Sequence, residues 1–298
     1  MTDNSTIAVI GLGSMGYGIA QSILSAGHTV YGFDVNEQNT QRFCSEGGLS
    51  GTLADVASSL DIVVVCVLNA SQTESVLFAD NSPLIPMLVK GSVVIACATV
   101  PPDFARDMAA RCAEHGILYL DAPMSGGSVK AANGQLTYMA SGPEQAFARA
   151  QPALDASAQT VFKLGAEAGA GSAMKAVNQM LAGVHIAAMA EALTFGMTQG
   201  VEPDMFLKII SQCAGTSWML ENRAPHIVEG DYTPHSSIDI WPKDLGIVMD
   251  IARSASFSAP ITAAALQQFV AASGSGLGQE DDAAVAKVYA RNAGIELP

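Results

Sequence analysis

The chain has 298 residues, of which 49% are hydrophobic and 14% charged, and its formal net charge is −14. This acidic balance argues against nucleic acid and anionic membrane surfaces as partners, because both are themselves negatively charged. The length allows one long domain or two ordinary ones with a large core. The low charge content suits a homo-oligomer whose helices are covered on several sides.

The cysteines and the apolar segments predict a reduced, soluble, cytoplasmic protein. The five cysteines are an odd number with irregular spacing, without C-x-x-C or any metal-ligand pattern, so we expect neither a disulfide framework nor a metal site. No secretory signal pattern opens the chain, and the longest uncharged stretch, 176–190, is too short and too polar to span a bilayer.

The first elements in chain order predict a dinucleotide-binding unit. An apolar strand at 7–10 leads directly into a G-x-G-x-x-G pattern and a helix over 16–27. The first glycine permits a tight turn, the second lets the backbone approach a pyrophosphate, and the third lets the helix pack against the strand. The start of the helix adds unpaired N–H groups and a partial positive charge. The predicted pyrophosphate-binding residues are Gly11, Leu12, Gly13, Ser14, Met15 and Gly16.

Asp34, at the end of the second predicted strand (28–33), indicates which dinucleotide binds. A carboxylate at this position can accept hydrogen bonds from both ribose hydroxyls of NAD, and it would repel the extra phosphate of NADP. Residues 35–39 contain no Lys or Arg, and the first basic residue is Arg42. The sequence therefore predicts NAD as the cofactor.

The following segments predict an α/β Rossmann-type domain with a doubly wound, mostly parallel sheet. Apolar runs at 61–68, 92–97 and 117–120 are typical of buried parallel strands. Shorter strands are predicted at 137–140 and 160–162, on either side of a helix from Glu144 to Leu154. We expect all of these strands to belong to one sheet.

From Ala170 onward the pattern is helical, which predicts a second, all-α domain. Helical spacing extends over 172–199, 203–213, 244–256 and 260–272, and a last helix follows the glycine loop 274–278 with acidic residues at its start. We therefore divide the chain into a dinucleotide-binding domain (1–165) and an all-helical substrate and oligomerisation domain (166–298). A long helix starting near residue 172 is expected to join them.

Three segments carry polar groups suited to chemistry. Thr99 follows a strand at its carboxyl end, where ligands bind in open α/β sheets. The loop 121–128 offers the Ser125 hydroxyl and the N–H groups of Gly126 and Gly127 to a small carboxylate; the alternative is a flexible turn. The third segment is a glycine-rich stretch, 169–179, that enters a helix carrying a single lysine, Lys175.

Lys175 is the candidate acid–base group. Asn178 and Gln179 lie three and four residues further on, so all three side chains project from one face of the predicted helix. Burial lowers the pKa of an amine, which would suit a lysine to exchange a proton with an alcohol near neutral pH. The alternative is a lysine whose head reaches solvent.

The chain resembles the β-hydroxyacid dehydrogenases, the family of 3-hydroxyisobutyrate dehydrogenase and tartronate semialdehyde reductase. The resemblance extends over essentially the whole chain. It depends on four spaced motifs: the glycine loop at 11–16, D-A-P-x-S-G-G at 121–127, G-x-G-x-x-x-K at 169–175, and Lys243-Asp244. It implies reversible hydride transfer between a small hydroxy acid and NAD, in a homodimer or homotetramer.

The resemblance also implies roles for individual residues. Lys175 would be the catalytic acid–base group, and Ser125 with Gly126 and Gly127 would hold the substrate carboxylate or hydroxyl. Asn178 or Gln179, on the helix face shared with Lys175, is expected to orient the reacting hydroxyl. The residues expected at the nicotinamide end of the cofactor are Val67, Leu68, Asn69, Thr99 and Lys243. For Lys243 the alternative is an ion pair with Asp244 at the start of a helix.

The substrate is less closely determined than the family. Stretches at 181–188, 217–223 and 230–234 are most similar to the L-threonate branch, which would make the product the 2-oxo acid. This chain has Ala98 where many members have Ser, and Gln179 where many have Asn. The alternatives are 3-hydroxyisobutyrate or tartronate semialdehyde chemistry and, from another class, a non-catalytic dinucleotide-binding module. Arg223 and His226 are further candidates for the substrate carboxylate.

Overall fold

The computed structural model describes residues 4–79 and 83–298. The chain divides into two compact units, Met1–Lys175 and Ala176–Pro298. The first unit is α/β and the second is helical.

The first unit is built on a five-stranded parallel sheet with the strand order β2-β1-β3-β4-β5. Alternate residues of its central strands enter two hydrophobic clusters, one with Ile7 and Val9 and the other with Ala8 and Ile10. Burial on both faces explains the continuous apolar runs in the sequence. The strands are β1 (Thr6–Ile10), β2 (Thr29–Phe33), β3 (Ile62–Val65), β4 (Val93–Ala96) and β5 (Leu118–Asp121).

Helices follow these strands as the alternating pattern predicts. Asn36 begins α2 by accepting a hydrogen bond from the Gln38 N–H, and Asn69 begins α4 by accepting one from the Gln72 N–H. The helices of this unit are α1 (Gly16–Ser25), α2 (Glu37–Ser45), α3 (Leu53–Val56), α4 (Ala70–Phe78), α5 (Pro102–Glu114), α6 (Gly127–Ala132) and α7 (Glu144–Ser157).

The expectation of one sheet was wrong, because the remaining strands form a second sheet of their own. It contains β6 (Met124–Ser125), β7 (Leu136–Ala140) and β8 (Ala158–Lys163) in the order β6-β7-β8. β6 pairs with β7 antiparallel, and β7 pairs with β8 parallel. A short apolar run identifies a strand but not its partner, which depends on residues distant in sequence.

A 29-residue helix, α8 (Ala170–Thr198), begins in the first unit and continues into the second. Among the described residues it is the one helix long and apolar enough, by length and composition, to cross a bilayer. In the second unit its side chains Ile186, Met189 and Leu193 belong to the buried helical core.

The helices that follow α8 in the second unit are α9 (Pro203–Ile210), α10 (Trp218–Glu229), α11 (Ile240–Ser254), α12 (Pro260–Ala272) and α13 (Ala286–Ala293). Helix α10, whose interior contains Pro225, was not predicted from the sequence. The signal for it was Ser217, which caps the helix by accepting a hydrogen bond from the Leu220 N–H. The last helix begins later than expected, because Asp282–Val285 forms a 3₁₀ turn before α13.

Candidate active site

The glycine loop after β1 has three glycines with different physical requirements. Gly11 has a φ of +95°, and a Cβ there would lie 2.3 Å from the Cys66 carbonyl oxygen. A Cβ on Gly16 would lie 1.8 Å from the Gly11 carbonyl oxygen, whereas one on Gly13 would meet no protein atom within 4 Å. The fold itself therefore requires Gly11 and Gly16. Gly13 leaves open space beside the loop, which fits the close approach of a pyrophosphate.

Asp34 lies directly after β2 and is held against the same loop. Its Oδ2 accepts a 2.6 Å hydrogen bond from the Leu12 N–H, and its Oδ1 accepts a 2.7 Å bond from the Asn36 N–H. Arg42, the first basic residue after Asp34, pairs with Glu46 at 3.3 Å and lies over the Tyr17 ring. This local charge pattern favours NAD over NADP.

The residues expected at the nicotinamide end follow adjacent strands. Val67, Leu68 and Asn69 come after β3, and Thr99 comes after β4, which pairs with β3 in parallel. Asn69 caps α4, and the Leu68 N–H donates to Gln72 Oε1 at 2.8 Å, while the Leu68 side chain stays exposed. The fold thus places these residues along the carboxyl edge of the sheet, and their contact with cofactor remains a prediction.

Lys175, in the second turn of α8, is half-buried. Its Nζ donates a 2.9 Å hydrogen bond to the carbonyl oxygen of Met124, the residue before Ser125. Two of the predicted site segments, 121–127 and 169–175, are therefore in direct contact within the first unit.

The Ser125-Gly126-Gly127 turn connects β6 to α6. Gly126 and Gly127 have φ values of +140° and +75°, which L side chains rarely adopt. A Cβ on Gly127 would meet no protein atom within 4 Å. The turn therefore requires glycine for its backbone and keeps the space beside Gly127 open.

Asp121, the first residue of the D-A-P-x-S-G-G motif, was not assigned a role from sequence. It is 1% exposed, and its carboxylate accepts hydrogen bonds from the Gly169 and Ser172 N–H groups and from the Ser141 and Ser172 hydroxyls. The motif identifies Asp121 in the sequence but not its hydrogen-bond donors, which lie 20 to 51 residues away in the chain.

In the second unit, the remaining candidates form a hydrogen-bonded chain. Asn178 Nδ2 donates to Gln179 Oε1 at 2.9 Å, and Gln179 Nε2 donates to Asp244 Oδ2 at 2.6 Å. Lys243 Nζ lies 2.5 Å from Asp244 Oδ1, so the alternative expected for Lys243, an ion pair with Asp244, is present. Asp244 is 2% exposed, and sequence reasoning missed its contact with Gln179.

Arg223 and His226 are engaged in a buried ionic cluster. Arg223 Nε lies 2.5 Å from Asp282 Oδ1, and His226 Nδ1 lies 3.4 Å from Asp281 Oδ1. Trp241 Nε1 also donates to Asp282, at 2.9 Å. Burial, partly offset by Arg223, raises the pKa of Asp282 to about 6. Arg223 and His226 therefore have internal partners in the fold, and their contact with a substrate carboxylate stays a prediction.

Burial raises the pKa of the Cys66 thiol to about 12 and that of the Cys97 thiol well above its usual range, so neither is an activated nucleophile. Across residues 4–79 and 83–298, no group of three or more His, Cys, Asp or Glu side chains is placed to hold a metal ion.

Two family models match this chain, one over its first part and one over its second. Residues 6–165 match a family model described as the NAD-binding domain of 6-phosphogluconate dehydrogenase. Residues 169–289 match one described as NAD-binding of NADP-dependent 3-hydroxyisobutyrate dehydrogenase.

Full-length relatives are also found. An L-threonate dehydrogenase of Cupriavidus necator is 51% identical over 98% of this chain and 97% of its own length. An L-threonate dehydrogenase of Escherichia coli K12 is 44% identical over 98% of this chain and 96% of its own length. The crystal structure of 3-hydroxyisobutyrate dehydrogenase from Salmonella typhimurium has a TM-score of 0.90 at 42% identity, covering 96% of this chain and 100% of that one.

Proposed function

We propose that this chain, which belongs to the β-hydroxyacid dehydrogenase family and is an NAD-dependent oxidoreductase, oxidises L-threonate to its 2-oxo acid. One observation in the structure carries the catalytic part of the proposal. The Lys175 amine is held 2.9 Å from the Met124 carbonyl oxygen, next to Ser125 in the segment expected to hold the substrate. The 51% identity to an L-threonate dehydrogenase supports this substrate over others of the family.

Each group of the site has a proposed task. Ser125 with the N–H groups of Gly126 and Gly127 holds the substrate carboxylate or hydroxyl. Lys175, in its neutral form, accepts the proton of the reacting hydroxyl, which fits a general base within hydrogen-bond reach. Asn178 or Gln179 orients that hydroxyl.

The cofactor-binding residues follow from the same proposal. When bound, NAD supplies the acceptor for the hydride of the alcohol carbon. The glycine loop 11–16 holds the pyrophosphate, and Asp34 holds the ribose hydroxyls. Val67, Leu68, Asn69, Thr99 and Lys243 position the nicotinamide end.

The second candidate substrates are 3-hydroxyisobutyrate and tartronate semialdehyde. The Salmonella structure, 42% identical, is named for the first of them. A non-catalytic dinucleotide-binding module would not need a lysine held beside Ser125, so the contact of Lys175 with Met124 disfavours that alternative.

Initial rates of NADH formation test the substrate and the cofactor together. The panel is L-threonate, D-erythronate, 3-hydroxyisobutyrate, D-glycerate and L-serine, each with NAD and with NADP. We expect the highest kcat/KM for L-threonate with NAD. A preference for 3-hydroxyisobutyrate or D-glycerate would reject the L-threonate assignment, and a higher kcat/KM with NADP would reject the role of Asp34. NADH binding without turnover of any of these acids would favour the non-catalytic module.

We also propose a soluble, cytoplasmic homodimer or homotetramer. Within the second unit, Val177, Leu181 and Phe195 on α8 and Ile261 on α12 are more than half exposed, and such apolar side chains are suited to contact a second copy. Light scattering on the purified protein would measure the mass directly, and a monomer of 30.7 kDa would reject the oligomer.

A further inference from the structure

Two motifs separated by more than 40 residues, D-A-P-x-S-G-G and G-x-G-x-x-x-K, are joined in the structure by one buried carboxylate. Asp121 ends β5, and its Oδ2 accepts hydrogen bonds from the Gly169 N–H at 2.8 Å and from the Ser172 N–H at 2.9 Å. Its Oδ1 accepts a third bond, of 2.7 Å, from the Ser172 hydroxyl. A single side chain therefore binds both N–H groups and a hydroxyl at the start of α8.

The surroundings of Asp121 leave this first turn little freedom. Ser141, fully buried, donates from its hydroxyl to Asp121 Oδ2 at 3.2 Å and accepts from the Gly171 N–H at 2.9 Å. A Cβ on Gly171 would lie 2.4 Å from the Met139 carbonyl oxygen and 2.7 Å from that of Asp121. The start of α8 is thus fixed by the hydrogen bonds that its N–H groups and the Ser172 hydroxyl donate to a buried carboxylate, and by contact between backbones.

Lys175 also contacts segment 121–125, a few residues beyond the contact between Asp121 and Ser172. Three residues after Ser172 on α8, the Lys175 amine donates to the carbonyl oxygen of Met124, three residues after Asp121. Segment 121–125 and the first turns of α8 are therefore joined at two points, first at Asp121 and then at Met124.

We propose that Asp121 is a positioning residue for the reaction. By holding the first turn of α8, it fixes the position of the Lys175 amine relative to Ser125. The proposal rests on the acid–base role proposed for Lys175. Asp121 acts through the helix backbone and touches neither substrate nor cofactor in this assignment. Displacing a reacting group by about 1 Å can cost on the order of 10²-fold in rate, so a small movement of this turn has a large effect.

A double-mutant cycle with Lys175 distinguishes positioning from general support of the fold. Asp121→Asn retains the shape of the side chain but replaces one acceptor oxygen with an NH₂ group. That NH₂ group then faces N–H or hydroxyl donors that bind the carboxylate in the wild type. We expect it to lower kcat by about 10- to 10²-fold, with the Kd for NADH changed less than about twofold. In the Lys175→Ala background, the same substitution should change the residual kcat less than about twofold, because there is no amine left to misplace.

Two further variants serve as a graded test and as a control for the loss of kcat in Asp121→Asn. Ser172→Ala removes only the hydroxyl donor and should give a smaller loss of kcat than Asp121→Asn. Thr52→Ala removes the cap of another helix of the same unit, where Thr52 Oγ1 accepts from the Asp55 N–H at 3.2 Å, and should leave kcat unchanged. An equal fold-loss of kcat from Asp121→Asn in both backgrounds would overturn the proposal, since it would show a role independent of Lys175.

A measurement without turnover separates this proposal from the proposed function. In protein labelled with ¹³C at the lysine ε carbon, the signal that disappears in Lys175→Ala belongs to Lys175. We expect this signal to shift in Asp121→Asn and to stay in place in Thr52→Ala. An unmoved Lys175 signal in a folded Asp121→Asn protein would reject the positioning role, whatever hydroxy acid the enzyme oxidises. A shifted signal in a protein that oxidises no hydroxy acid would retain the Asp121–Lys175 coupling and reject the proposed function.

Discussion

Gln179 donates a 2.6 Å hydrogen bond from Nε2 to Oδ2 of the buried Asp244, which lies 65 residues further along the chain. Because Asp244 Oδ2 is the acceptor, the amide NH₂ of Gln179 faces Asp244 and its Oε1 points away. That oxygen accepts from Asn178 Nδ2 at 2.9 Å. The Asp244 carboxylate thereby orients both amides.

Gln179→Leu tests the stabilising part of this contact. The substitution removes the donor to Asp244 Oδ2 and leaves that buried oxygen without its partner, so we expect the free energy of unfolding to fall by about 1–3 kcal/mol. Urea denaturation measures the change. Gln268→Leu on α12 replaces another glutamine of the same unit, and comparable losses in both variants would argue against a specific Gln179–Asp244 contribution.

Lys175→Ala tests acid–base catalysis. Removing the amine should lower kcat by about 10²- to 10⁴-fold, the usual contribution of general acid–base catalysis, while the Kd for NADH stays the same. Stopped-flow and steady-state rates give the first value and NADH fluorescence titration the second. Lys163→Ala removes an exposed lysine that pairs with Glu144 and should retain full activity. Retention of most turnover in Lys175→Ala would reject the catalytic role.

Asp34→Ala tests the choice of cofactor. Loss of the carboxylate removes the charged acceptor for the ribose hydroxyls and the repulsion of a 2′-phosphate, so kcat/KM with NAD should fall about 10- to 10²-fold. The ratio of kcat/KM for NADP to that for NAD should rise. Glu37→Gln removes an exposed charge three residues away and should leave the ratio unchanged. A similar change in both variants would mean that general charge, and not the position of Asp34, decides the preference.

The glycine loop allows a matched pair of substitutions. A Cβ on Gly13 meets no protein atom, so Gly13→Ala should change the free energy of unfolding by less than about 0.5 kcal/mol but raise the KM for NAD at least about tenfold. Gly16→Ala would force its Cβ against the Gly11 carbonyl oxygen and should lower stability itself. Thermal unfolding and NAD titration of both variants check this division. An unchanged KM in Gly13→Ala would mean that the pyrophosphate does not approach the loop at this residue.

Asp282 should make stability depend on pH. Its pKa of about 6 in the folded protein lies above the usual value of 3.8, so the folded state binds more protons between pH 4 and pH 6. This group therefore stabilises the fold at low pH, and the contribution is lost as the pH rises through 6. The shift corresponds to a difference on the order of 2–3 kcal/mol across this range.

Comparison with Asp282→Asn isolates that contribution. The other titratable and charged groups around the cluster are the same in both proteins, so their contributions are common to the two measurements. These groups are His226, His235, Asp231, Asp281, Glu280, Arg223 and Lys287. Unfolding free energies at pH 7 and pH 5 should show wild type gaining stability relative to Asp282→Asn on acidification. A difference between the two proteins that is the same at both pH values would mean that Asp282 does not titrate in this range.

The sequence by itself determined the local parts of this protein. The glycine loop, the strand before it and Asp34 belong to one strand–helix–strand pattern, so the dinucleotide-binding unit, and with it the preference for NAD, could be predicted. The helical spacing of Lys175, Asn178 and Gln179 was likewise readable, because α8 is long and continuous. These features depend on residues within one helix or within one strand–helix–strand unit, where backbone geometry and side-chain periodicity decide the outcome.

Only the tertiary structure decided which distant groups became partners. It placed β6, β7 and β8 in a second sheet, paired Arg223 with Asp282, and brought Asp244 within hydrogen-bond distance of Gln179. It also directed the Asp121 carboxylate onto the start of α8. The sequence contains each of these residues but does not indicate its partner. A buried charge or a strand edge forms hydrogen bonds with whichever group the fold brings close enough, however far away that group is along the chain.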